Sequence, residues 1–168
     1  MSSSHPRVLA YTDGGCRGNP GPGAWAFLLV DLTSGAALER AGGEPHTTNN
    51  RMEYLAAISV LESLKVPTEV EIRTDSKLLV NTVTTWMKGW KAKGWKKKGG
   101  PIKNLDLVQR LDVLVQDHTV RWTWVKGHAG NPGNERVDEL ANLAMDSLQA
   151  GASPALEQRH AKSPVPVT

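Results

Sequence analysis

Three strand-like stretches precede the first helix, and this order limits the fold more than anything else in the sequence. Arg7–Asp13 (RVLAYTD) reads as a short strand, Gly23–Asp31 (GAWAFLLVD) as a longer apolar one, and Gly35–Glu44 as a third, weaker one. The glycines and prolines between them favour hairpin-like, antiparallel connections. A helix follows. Thr48, Asn49 and Asn50 offer cap oxygens, and Asn50 with Glu53 has capping-box spacing. Tyr54, Ala57, Ile58, Leu61 and Leu64 then recur at helical spacing until Val66-Pro67. Glu69–Asp75 alternates as a strand and Ser76–Met87 reads as a helix. Asn104 is placed to cap another helix, Thr119–Val125 alternates again, and a last helix starts near Pro132. The order β-β-β-α-β-α-α-β-α alternates too little for a doubly wound dinucleotide fold. It predicts an α/β chain with a five-stranded mixed sheet flanked by helices.

A length of 168 residues suits one domain. From Gly151 the chain reads GASPALEQRHAKSPVPVT, with Pro154, Pro164 and Pro166. This segment, 151–168, is expected to be a disordered tail behind a folded unit of residues 1–150. No apolar run approaches the ~18 residues of a membrane span, and MSSSHPRVLAY holds no signal-peptide apolar region. The lone Cys16 forms no internal disulfide and does not make a structural zinc site. A cytoplasmic protein without membrane contact, most simply a monomer, is the expectation.

Charge is distributed unevenly. Residues 86–104 hold seven lysines (88, 91, 93, 96, 97, 98 and 103) and no acid, so a chain of net charge +3 is −4 outside this stretch. A concentrated cationic segment is what a polyanion binds. Trp86, Trp90 and Trp95 interleave with the lysines. A surface helix packed on its tryptophans with snorkelling lysines would look similar, but the absence of acids favours nucleic-acid contact.

Two predicted strands end in aspartate, Asp13 and Asp75. In open α/β sheets, ligands bind beyond the carboxyl ends of strands. Glu53 lies in the first turn of its helix, and Asp138 shares a face of the last helix with Asn134 and Glu135. Convergent carboxylates repel and need either raised pKa values or a bound cation. All-oxygen ligation suits Mg²⁺ or Mn²⁺. Taken singly, each aspartate is an ordinary turn former, Glu53 a capping residue and Asp138 a solvated helix charge, so spacing alone leaves both readings open. The glycine-rich stretch Gly14–Gly23 reads as a tight turn rather than a phosphate loop. His128, in a Gly-rich loop, is either a proton shuttle or simply exposed.

Four segments then carry a resemblance. Y-T-D-G-G-C-R-G-N-P-G-P-G from Tyr11, T-T-N-N-R-M-E-Y-L-A-A from Thr47, T-D-S from Thr74 and W-V-K-G-H-A-G-N-P-G-N-E-R-V-D-E-L-A from Trp124 resemble bacterial ribonuclease HI. The stretch W-x-x-x-W-K-x-x-G-W-K is similar to that family's basic handle protrusion, here about 86–104. The similarity runs from about Val8 to Leu148.

The resemblance implies a ribonuclease H-like fold, with the first and fourth strands adjacent and parallel. It implies a hydrolase, a metal-dependent endonuclease that cuts the RNA strand of RNA–DNA hybrids with little sequence preference and leaves 5′-phosphate and 3′-hydroxyl ends. The family's catalytic carboxylates fall on Asp13, Glu53, Asp75 and Asp138, which would hold two Mg²⁺ ions, with Mn²⁺ as a substitute. His128 matches a mobile-loop histidine of the family and Glu135 an acid attending the metal site. Cys16, Asn19, Thr48, Asn49 and Asn50 fall on substrate-contacting positions, and Trp86, Trp90, Lys96, Lys97 and Lys98 on the handle. Lys77 departs from the pattern, because the best-known bacterial member has Gln there. The expected consequence is a phosphate contact in place of a base-edge or sugar contact.

Overall fold

The computed structural model describes residues 6–167. Strands β1 (Val8–Cys16), β2 (Gly21–Asp31) and β3 (Ala37–Thr47) form an antiparallel meander. Helix α1 (Asn49–Ser63) then leads to β4 (Glu69–Thr74), which pairs parallel with β1, and β5 (Thr119–Trp124) pairs parallel with β4. The mixed α/β sheet expected from the sequence is present, with β1 and β4 side by side.

Among the described residues the sheet has six strands in the order β5-β4-β1-β2-β3-β6, not five. The sixth, β6 (Leu156–His160), lies in the segment expected to be disordered. It pairs antiparallel with β3, from Ala37 opposite His160 to Ala41 opposite Leu156. The physical reason is that β3 would otherwise be an open edge. Leu156, Val165 and Val167 also pack on the apolar cluster beneath the last helix. Pro154 and Pro164 flank the strand rather than interrupt it, as proline's missing donor requires.

Alternation along the strands divides the core in two. Ala10, Phe27, Val70 and Ile72 face α1 and α4 (Leu105–Gln116), meeting Ile58, Leu61 and Leu111. Leu9, Tyr11, Ala26 and Leu28 face the opposite way, toward Val137, Leu140 and Ala141 of α5 (Pro132–Gln149). Helix α1 is buried on several sides, with Ala56, Ala57, Ile58 and Val60 all inaccessible.

The helix expected over Ser76–Met87 runs further. It comprises α2 (Lys77–Asn81), one π-helical stretch (Thr82–Trp86) and α3 (Met87–Ala92). It stops where Gly94 and Trp95 take positive φ values of 71° and 64°. Gly94 has no Cβ to oppose this turn. Asn104 opens α4 as expected, but through a left-handed backbone and without a side-chain cap bond. Among the described residues no helix is long and apolar enough to cross a membrane.

Candidate active site

Asp13 lies inside β1, not at its end. It pairs with Ala26 on β2, while the parallel partner β4 stops opposite Thr12, at Thr74. Asp75 follows Thr74 directly, so the two aspartates flank the place where β4 leaves the sheet. The predicted turn at Gly14-Gly15 is therefore strand, and Gly14 has a packing role. A Cβ there would come within 2.5 Å of the Glu53 backbone nitrogen. Without it, the first turn of α1 lies against β1, and Gly14 N–H donates to Glu53 Oε1 at 3.1 Å. Glu53 is thus no capping residue. The α1 cap is Thr48, whose Oγ1 accepts from Arg51 N–H at 3.3 Å.

The result is a carboxylate cluster. Oxygens of Asp13, Glu53 and Asp75 all lie within 4.8 Å of one another. Asp13 and Glu53 are only 7% and 8% exposed. Burial, then the charges of Asp75 and Asp138, push the Asp13 carboxyl up to about 8. Burial and the charges of Asp13 and Asp75 likewise raise Glu53 well above its ordinary value. Glu53 Oε2 is buried with no hydrogen-bond partner. An oxygen-only donor set with a repelling charge and an orphaned buried oxygen fits a hard divalent cation.

The cluster floors a hollow of about 530 Å³ lined also by Asp138, His128, Cys16, Asn49, Asn50 and Lys77. Asp138 comes from the second turn of α5. His128 sits in the β5–α5 loop with φ 56°, a left-handed conformation that turns the chain there.

Other expected residues play different parts. Glu135 is not among the residues lining this hollow. It lines a separate hollow with Arg136, Glu139 and Pro164. Asn19 does not line the acidic hollow either. Its Oδ1 accepts from Asn49 N–H at 3.1 Å and so fixes the start of α1. The residue that sequence reasoning left without a role is Asn134. It is 3% exposed, and its Nδ2 donates to Asp75 Oδ2 at 3.3 Å. The signal was its four-residue spacing from Asp138.

Beside the acidic hollow lies a cationic one of about 570 Å³, lined by Trp86, Trp90, Lys93, Lys96, Lys97, Lys98 and Lys103. Asn50 and Leu78 border both hollows. The Trp86 and Trp90 rings stand 6.1 Å apart and form an aromatic wall. Lys91 is paired instead, with Asp112 at 3.0 Å. The segment thus protrudes as α3 and a loop, with its lysines exposed.

A family model described as RNase H matches residues 5–146. Ribonuclease H of Alcanivorax borkumensis is 54% identical over 143 residues, covering 84% of this chain and 93% of its own length. Among solved structures, LC9-RNase H1, a type 1 RNase H with the type 2 active-site motif, superposes with a TM-score of 0.80 at 32% identity. That match covers 94% of this chain and 80% of the other. LC11-RNase H1 in complex with an RNA/DNA hybrid superposes with a TM-score of 0.64 at 29% identity, covering 86% of this chain and 99% of the other. With a family model over most of its length and a relative more than half identical, the chain belongs to the RNase H family.

Proposed function

We propose that this protein is a cytoplasmic, monomeric endonuclease that hydrolyses the RNA strand of RNA–DNA hybrids, leaving 5′-phosphate and 3′-hydroxyl ends. The observation that carries the reading is the cluster of buried Asp13 and Glu53 with half-buried Asp75, beside a lysine- and tryptophan-lined hollow, in a chain of this family. A cationic hollow holds one phosphate backbone while the acidic one, loaded with divalent ions, faces the other. A hybrid-bound structural relative supports the substrate.

Asp13, Glu53, Asp75 and Asp138 would hold two Mg²⁺ ions, or Mn²⁺ in their place. When bound, such ions supply Lewis acidity that makes a water more acidic and stabilises a leaving 3′ oxygen. The protein's own groups do the rest. Asn134 holds one oxygen of Asp75. His128, on the rim of the same hollow, moves a proton at the leaving oxygen or assists product release. Cys16, Asn49 and Asn50 face the RNA sugars and the DNA backbone, so recognition reads backbone and 2′-hydroxyl rather than base identity. Trp86, Trp90, Lys96, Lys97 and Lys98 hold the DNA strand. Residues 1–150 carry all of these groups.

The test is a panel of labelled duplexes with and without Mg²⁺. Hybrid RNA is cut, while double-stranded RNA, double-stranded DNA and the hybrid's DNA strand stay whole, and end analysis finds 5′-phosphates. Tight binding of hybrid without cleavage in Mg²⁺ or Mn²⁺ would replace the enzyme with a binding module.

A further inference from the structure

Two side-chain cations, Arg17 and Lys77, line the acidic hollow, and they are held in opposite ways. Arg17 is committed to α5. Its guanidinium donates to Asp146 Oδ1 at 2.6 Å, to Gln149 Oε1 and to Asn142 Oδ1 at 3.2 Å. Lys77 has no ion-pair partner among the described residues. Its Nζ stands 4.9 Å from the centroid of the Trp124 ring. Trp124 is pinned in turn, because its Nε1–H donates to the backbone oxygen of Asp75 at 3.1 Å.

Lys77 begins α2, two residues after Asp75, with Ser76 as the cap between them. An ammonium so near an acid cluster has carboxylates to pair with, yet it rests on an aromatic face. A cation on an exposed indole is held only weakly. Among the described residues, it keeps its three N–H donors free of the protein's own acceptors. It can therefore transfer to an incoming anion at little cost, whereas Arg17 would first have to break its bonds to α5.

We propose that Lys77 takes a phosphate oxygen of the strand being cut, beside the carboxylates, and that Trp124 is the positioning residue that parks the ammonium there. The proposal rests on the hybrid substrate inferred above. The arrangement answers two needs. A phosphate approaching the acidic hollow meets repulsion that one nearby, transferable cation offsets. Asp75 also stays unpaired by that cation and available to a metal ion.

The experiment measures Kd for a labelled hybrid in EDTA across a KCl series, so no turnover is needed. Each phosphate contact contributes about 0.7–0.9 to the log–log salt slope. Lys77→Met and Lys77→Gln are expected to lower the slope by about one such contact and to raise Kd severalfold, while Lys77→Arg keeps the slope. Trp124→Leu retains the charge and so the slope, but weakens binding, and Lys77→Met then costs less than it does alone. Melting curves identify any variant that fails to fold, and the Lys77 series decides the matter without Trp124. A wild-type slope in Lys77→Met would overturn the phosphate contact. Wild-type Kd in Lys77→Gln would overturn it too, in favour of a sugar or base contact. Strict additivity of Lys77→Met and Trp124→Leu would remove Trp124 from the account. A wild-type protein that fails to bind hybrid at all would overturn the function as well, a result distinct from parallel slopes among proteins that all bind.

Discussion

Asp13 on β1 and Glu39 on β3 are both buried carboxylates facing α5, and the protein treats them oppositely. Glu39 is fully inaccessible. Arg136 Nε donates to its Oε2 at 2.6 Å, Arg136 Nη2 to its Oε1 at 3.0 Å, and His160 Nε2 lies 2.8 Å from Oε1. Burial pushes the Glu39 carboxyl up, but these hydrogen bonds and charges outweigh it and hold the group below its usual value. Asp13 has no such cation among the described residues, and burial and its acidic neighbours push it up to about 8. One carboxylate is neutralised from within and ties β3, α5 and β6 together. The other is left for a cation from outside. Depth of burial alone therefore does not mark a functional carboxylate; the missing counter-charge does.

Removing one charge from each region gives the sharpest contrast. Asp13→Asn is expected to abolish hybrid hydrolysis while raising the metal-free melting temperature at pH 8. A gain of about 2 kcal/mol corresponds to roughly 4–8 °C at this chain length. Near-wild-type cleavage by this variant would sink the assignment. The two histidines extend the contrast. His128→Ala should slow turnover by roughly 10²-fold with melting unchanged, the lower end of acid–base contributions. His160→Ala should leave turnover unchanged and cost about 1 kcal/mol of stability. If the two variants exchanged phenotypes, the division between the regions would fail.

Glu39→Ala leaves Arg136 without its main partner and should destabilise the fold by about 3 kcal/mol, as judged by urea unfolding. Truncation after Ala150 removes β6 and reopens the β3 edge. The expected loss is smaller, about 1–2 kcal/mol, with activity on a short hybrid at 25 °C within about twofold. A melting temperature equal to that of the full chain would show β6 to be a bystander. The subtlest difference is in pH. Asp13 is raised in the fold, so its contribution to metal-free stability is present below its unfolded value of 3.8 and is lost as pH rises toward about 8. Glu39 is lowered, so its contribution is present above 4.5 and is lost as pH falls through its folded value. Asp13→Asn should flatten the stability profile between pH 3.8 and about 8, and Glu39→Gln should flatten it below pH 4.5. Melting curves in EDTA from pH 3 to pH 9 test both.

The acidic site was more legible in the sequence than the region around Glu39. Asp13 and Asp75 stand where alternating apolar stretches run out, and Asp138 sits next to the inward-facing Val137. Two parallel strands and one helix were enough to bring these together. Gly14 hid the true length of β1, because a glycine pair reads as a turn unless the helix that packs on it is known. β6 was illegible for a related reason. Only Leu156 and His160 of its five residues are half-buried, so it carries no apolar alternation. What holds it is the open β3 edge and the buried Glu39, both distant in sequence. Glu135 lines the neighbouring hollow with Arg136 and Glu139, while Asn134, four residues before Asp138, donates to Asp75.

The central claim is that the unneutralised carboxylates form a cation site, and melting at pH 8 during a Mg²⁺ titration from a metal-free start tests it most directly. Wild type should begin low and climb as the ion relieves the repulsion among Asp13, Glu53 and Asp75. Asp13→Asn should begin higher and stay flat, and His160→Ala, altered only at the Glu39 cluster, should climb in parallel with wild type. A wild-type curve that stays flat, or an Asp13→Asn curve that climbs alongside it, would contradict the account.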